Sequence, residues 1–178
     1  TCQAGCDRQI NLMKKLFAIG KVTKVSGLKG EVRCKPLSRY FDEYIDEKPL
    51  FLGFSESVNT AIVLETIIPS GKRPKYRFSG VNTQKSAQSL IGQFVFAGVS
   101  EHDKINWISE ELIGFEVVNT ESTWVGILKE ILWLPSNDVY VIQKEKREFL
   151  VPVIPEIVKH LDWECETLII SPMEGLLD

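Results

Sequence analysis

Short runs of alternating apolar and polar residues dominate the chain. Residues 16–25 (LFAIGKVTKV) are apolar and β-branched and end at a Gly-Leu-Lys-Gly turn, Gly27 to Gly30. Glu31-Val32-Arg33-Cys34-Lys35 then alternates, with Val32 and Cys34 on one side and three charged residues on the other. That period of two predicts a half-buried strand. Pro49–Phe54 and Ala61–Ile68 read as further strands, and Pro69-Ser70-Gly71 ends the second. Lys75–Ser79 alternates with Tyr76 and Phe78 inward, and Gln93–Ala97 places Phe94 and Phe96 on one face. Two helical inserts are expected, one within 39–47 and one over 83–90 with Thr83 as its N-cap.

The pattern restarts after a polar stretch at 99–108 (VSEHDKINWI). Strands are expected at 112–119, 124–134, 138–143, 148–152 and 167–171. Pro135 to Asp138 forms a turn, Glu145-Lys146-Arg147 a charged tip, and 155–161 a helical turn. The expected fold is mostly all-β: two small six-stranded β-barrels joined by a short linker, with short helical inserts. Closure of each barrel removes sheet edges that would otherwise pair with other chains. The expected boundaries are 13–98 for the first barrel, 99–108 for the linker and 109–178 for the second. Residues 1–12 lack the apolar core of a signal peptide and read as a non-native or disordered leader, with Met13 as the natural start.

Charge separates the two halves. Residues 13–98 hold 14 Lys and Arg against 7 Asp and Glu, a net of +7, whereas 99–178 hold 6 against 16, a net of −10. A basic half favours a polyanion such as nucleic acid. Its candidate contacts are Lys21, Lys24, Lys29, Arg33 and Lys35 on the first hairpin, around the turn glycines Gly27 and Gly30. Lys72, Arg73, Lys75 and Arg77 add a second basic segment. The ribbon reads equally as a phosphate-binding surface or as a solvated face kept charged against aggregation. Trp133, at a strand end, reads equally as barrel filling or as an interface anchor.

Composition adds exclusions. No apolar run approaches the ~18 residues of a membrane span. The four cysteines include no CxxC pair, and Cys34 reads as a small core residue, so a reducing cytoplasm fits and no metal site is expected. No nucleophile, phosphate-loop or metalloprotease motif is present, so no catalytic residue and no cofactor is assigned.

Several stretches together resemble the RimM family of ribosome maturation factors, which serve 16S rRNA processing and small-subunit assembly. They are Ile19 to Val22 with Gly27 to Val32; Arg77 to Thr83 with Ala87 and Leu90 to Gly92; Leu112 to Val117; Val125-Gly126; Asn137 to Val139; Phe149 to Pro152; Asp162; and Pro172 to Leu177. The chain departs from the family pattern at Ser26, where a His is frequent. It departs again at Trp107-Ile108, where an aromatic pair is common. The resemblance implies a first barrel similar to elongation-factor domain II, a second barrel of the PRC type, and no catalysis. It further implies a monomeric binding factor for the immature head of the small ribosomal subunit, contacting 16S rRNA and the S-nineteen-family ribosomal protein. Trp107, Ile108 and Trp133 are the candidate contacts to that protein. A general RNA-binding module is the alternative, and an enzyme with an acidic site in the second barrel is a third reading.

Overall fold

The computed structural model describes residues 15–178, so the expectations for residues 1–12 and for Met13 lie outside it. The chain divides into two compact units, one ending at Asp103 and one beginning at Lys104.

The first unit is a seven-strand sheet in the order β4-β3-β7-β1-β2-β6-β5. The strands are β1 (Lys15–Val25), β2 (Val32–Pro36), β3 (Leu50–Gly53), β4 (Asn59–Ile62), β5 (Leu64–Ile68), β6 (Lys75–Phe78) and β7 (Phe94–Val99). The two ends of that order, β4 and β5, are neighbours in sequence with Val63 alone between them. The run read as one strand over 61–68 is therefore bent at Val63 into two, which makes seven strands in this unit where six were expected, and the chain itself links the two edges. Val63 is held at the bend, its carbonyl accepting from the Ser79 amide at 2.8 Å.

Val32, Cys34, Tyr76 and Phe78 are buried as the alternation assigned, and Ile19, Val22 and Val95 are buried with them. Phe94 and Phe96 do not share one burial: Phe96 is buried, whereas Phe94 is half-buried. Helix α1 (Phe41–Glu47) closes one side by burying Phe41, Tyr44 and Ile45, the i, i+3, i+4 stripe that one helix face presents. Phe41 stands edge-on to Tyr76, with ring centroids 5.6 Å apart. Helix α2 (Gln84–Gln88) is capped by Thr83, whose hydroxyl accepts from the Ser86 amide, while Ser86 Oγ accepts in return from the Thr83 amide.

The second unit is a six-strand sheet in the order β11-β10-β9-β8-β13-β12. Its strands are β8 (Glu116–Asn119), β9 (Trp124–Trp133), β10 (Asp138–Lys144), β11 (Arg147–Pro152), β12 (Val158–Asp162) and β13 (Thr167–Ile170). Its core joins Leu112, Phe115, Val117, Leu128, Tyr140, Ile142, Phe149, Val151, Ile157, Leu168 and Ile170, with Leu176 and Leu177 packed against it.

Three further expectations change. Residues 155–161 were expected as a helical turn, but Val158–Asp162 is a strand, because it pairs antiparallel with β13 from Val158↔Ile170 to Asp162↔Thr167. The expected strand 112–119 begins only at Glu116. Before it a short 3-10 helix, Glu110–Leu112, is capped by Ser109, and Gly114 at φ +99° reverses the chain. Of the expected linker 99–108, Val99 belongs to β7. Lys104–Ile108 forms a second 3-10 helix with Ile105 and Asn106 buried.

Candidate nucleic-acid interface

Strand register gathers the predicted cations on one outer face of the first unit. Lys21 lies opposite Lys35 across β1 and β2, and Lys24 opposite Arg33. On its other side Lys21 faces Phe94 of β7, with its ammonium 5.2 Å from the ring centroid. That contact holds the charge outward at little entropic cost. Lys75 and Arg77 flank inward Tyr76 on β6, the next strand. Lys24, Lys29, Lys35 and Lys72 are exposed and have no ion-pair partner among the described residues.

Arg33 has a different task from the lysines. Its Nε donates to Ser26 Oγ at 3.2 Å, one terminal nitrogen to the Arg73 carbonyl at 2.8 Å and the other to Ser70 Oγ at 3.1 Å. The planar fork thus ties the first hairpin to the 70–74 loop that carries Lys72 and Arg73. Arg77 is also engaged, its Nε 3.2 Å from Glu65 Oε2. Sequence reasoning missed Ser26, Ser70 and Glu65 as partners. Their pairing depends on long-range register, and only their small or acidic character beside cations hinted at it.

The hairpin tip is shaped by two constraints. Gly30 has φ +87°, and a Cβ there would lie 2.1 Å from the Val81 carbonyl oxygen. The turn of the first signature stretch therefore seats directly on the backbone of the second, residues 77–83. A Cβ on Gly27 would meet the Glu31 carboxylate at 2.0 Å. That carboxylate accepts from the Lys29 amide at 2.9 Å. Its own amide above all, with the Lys29 amide and the positive charges of Arg77 and Lys75, holds the Glu31 carboxyl below its usual range against the opposing effect of burial. Leu28 and Lys29 are left exposed at the tip.

The three protein-contact candidates of the second unit separate. Trp107 packs partly buried against the core, and its carbonyl accepts from the hydroxyl of fully buried Tyr140. Ile108 is half-buried. Trp133 is 53% exposed beside Leu134 at 43%. Trp124, which was not singled out, is also exposed and carries the Lys144 ammonium 5.5 Å from its ring.

The carboxylates with displaced pKa among the described residues are Glu31, Asp103 and Asp162, and all three are lowered. Lowering suits hydrogen-bonded structural anions and is opposite to what a general acid needs. Among the described residues no group of three His, Cys, Asp or Glu is placed to hold a metal ion. No helix among them is long and apolar enough to cross a membrane.

Comparison with known proteins follows the two units. The RimM N-terminal domain matches residues 17–102, and the RimM PRC barrel domain matches residues 109–176. The ribosome maturation factor RimM of Chlorobium luteolum is 32% identical over 154 residues, covering 84% of this chain and 92% of that protein. The ribosome maturation factor RimM of Clostridioides difficile is 28% identical over 166 residues, covering 91% and 96%. A crystal structure of a 16S ribosomal RNA processing protein RimM from Pseudomonas aeruginosa is 22% identical, with a TM-score of 0.45, covering 89% of this chain and 98% of that one.

Proposed function

The chain belongs to the RimM family of ribosome maturation factors, and from that premise we propose that it is a non-catalytic assembly factor acting by binding. The first unit would hold immature 16S rRNA of the small-subunit head. The second would take the basic S-nineteen-family ribosomal protein, with the chain acting as a cytoplasmic monomer. The observation that carries this reading is the outer face of β1, β2 and β6. Its unpaired lysines are spread across adjacent strands, not focused on one pocket. RNA backbone is recognised by many such weak charged contacts. The acidic second half repels RNA and attracts a basic protein. Binding of this kind stabilises a partly folded RNA–protein surface and ends when mature contacts displace it. Any effect on RNA processing is then indirect.

Sedimentation tests the reading. Added to a lysate, the chain should migrate with free small subunits and be absent from mature ribosomes and polysomes. Equal distribution over all RNA-containing fractions would favour a general RNA-binding module instead.

A further inference from the structure

The 70–74 loop that Arg33 anchors does more than display two cations. With the start of α1 it walls a cleft of about 280 Å³, lined by Cys34, Asp42, Lys72, Arg73, Pro74 and Tyr76. That volume lies just below the roughly 300–1,000 Å³ of small-molecule sites, which suits one nucleotide and not a stacked pair. The lining carries opposite charges. Lys72 and Arg73 are exposed at its rim and favour an anion. Asp42 is an exposed carboxylate with no ion pair or hydrogen bond among the described residues, so it is open to accept from the donors of a ligand. Pro74 supplies an apolar wall and Tyr76 a phenol. The Tyr76 hydroxyl is held protonated, its pKa pushed up to about 12 by burial, with Asp42 and Cys34 adding to the rise and Arg73 opposing it. It is therefore available as a donor at neutral pH.

Phosphate on one side and paired N–H donors on the other describe a nucleotide. Among the bases guanine presents two adjacent donors, N1–H and the 2-amino group, in the geometry that a carboxylate accepts. Adenine, cytosine and uracil do not offer that pair. We propose that this cleft takes a single unpaired guanine of a bound RNA strand, with its Watson–Crick edge on Asp42 and its phosphate on Lys72 and Arg73. The inference rests on the RNA-binding reading above and adds base preference to it. The source is an RNA chain, because Arg33 physically joins the cleft loop to the lysine ribbon. A strand lying on the ribbon can therefore continue into the cleft. Unpaired bases are the ones whose edges proteins read in RNA.

Fluorescence anisotropy of the full chain with labelled single strands of about ten nucleotides, within the usual site size of a small barrel, tests this. The strands are all adenine, the same strand with one central guanine, and the same with inosine, which lacks the 2-amino donor. The expected order is guanine over inosine over adenine, with guanine about five- to tenfold tighter than adenine, the low end of a bidentate base contact. Asp42→Ala should abolish the preference, because it removes the carboxylate acceptor without introducing the donor–acceptor pair by which an Asn side chain would take adenine. Free GMP should compete poorly with the guanine strand, because it lacks the ribbon contacts; competition at equal concentrations would assign the cleft to a free nucleotide and overturn the RNA source. Equal binding of all three strands overturns the cleft proposal and leaves the RNA-binding reading intact. So does an Asp42→Ala chain that binds every strand more tightly with its guanine preference unchanged, since Asp42 would then merely repel phosphate. Failure of every strand to bind at low salt overturns the RNA-binding reading and the cleft together.

Discussion

Gly30 and Arg33 show how single residues make this surface. Gly30 needs a left-handed backbone and also the absence of a Cβ, because the Val81 carbonyl would stand 2.1 Å from one. Gly80 shares the left-handed backbone at φ +75°, yet a Cβ there meets nothing within 4 Å. Gly80→Ala should therefore cost only the backbone strain of about 1–3 kcal/mol, and Gly30→Ala measurably more, read as ΔG of unfolding in urea. Equal costs would mean that the approach to Val81 is slack. Trp107 and Trp133 offer a second contrast. Trp107→Ala should lower stability by about 2 kcal/mol or more, because the ring packs on the core. Trp133→Ala should leave Tm nearly unchanged and weaken binding of the basic ribosomal protein by about 1 kcal/mol or more. Calorimetry of both variants separates the roles. The glycine turn was legible in the sequence as a turn. The seat on Val81 was not, because it joins residues about fifty positions apart.

At the scale of elements, period-two alternation located most strands because each has one buried and one wet face. It failed where alternation does not report pairing. Val158–Asp162 runs from buried Val158 through two exposed residues to two half-buried ones, without alternation, and is held as a strand by its ladder to β13. The stretch 112–115 is apolar, yet Gly114 and the Ser109 cap turn it into a helical lead-in to β8. The end of the first unit is pinned by a tie that sequence could not show. Lys48, the residue after α1, donates to Asp103 Oδ1 at 2.7 Å, and Asp103 Oδ2 accepts from the Ser100 amide at 2.8 Å. Burial acts to raise the Asp103 pKa, but Lys48 and Ser100 outweigh it and the net shift is downward. A carboxyl lowered in the folded state stabilises fully above its unfolded pKa of about 3.9, and that contribution is lost as pH falls through the folded value. Tm measured from about pH 6 downward should therefore fall less steeply below about pH 4 for Asp103→Asn than for the unaltered chain. Parallel acid limbs would show that the tie contributes nothing.

For the whole molecule, the charge count was the most informative property of the sequence. It separated a +7 half from a −10 half before any element was placed. What it could not give was which cations are free. Register and side-chain geometry commit Arg33 and Arg77 to structural partners and leave Lys24, Lys29, Lys35 and Lys72 to meet a ligand. The central claim is that this face binds RNA backbone and the second unit does not. Its most direct test is the salt dependence of binding of the full chain to a 16S rRNA fragment. The unaltered chain is compared with a Lys24→Ala, Lys29→Ala, Lys35→Ala variant and with a control carrying Lys144→Ala, Lys146→Ala and Lys159→Ala in the second unit. The first variant should lose affinity, and its log–log slope should flatten by roughly 0.7–0.9 for each phosphate contact removed. The control should keep the slope of the unaltered chain. Equal flattening in both variants, or none in the first, would contradict the account.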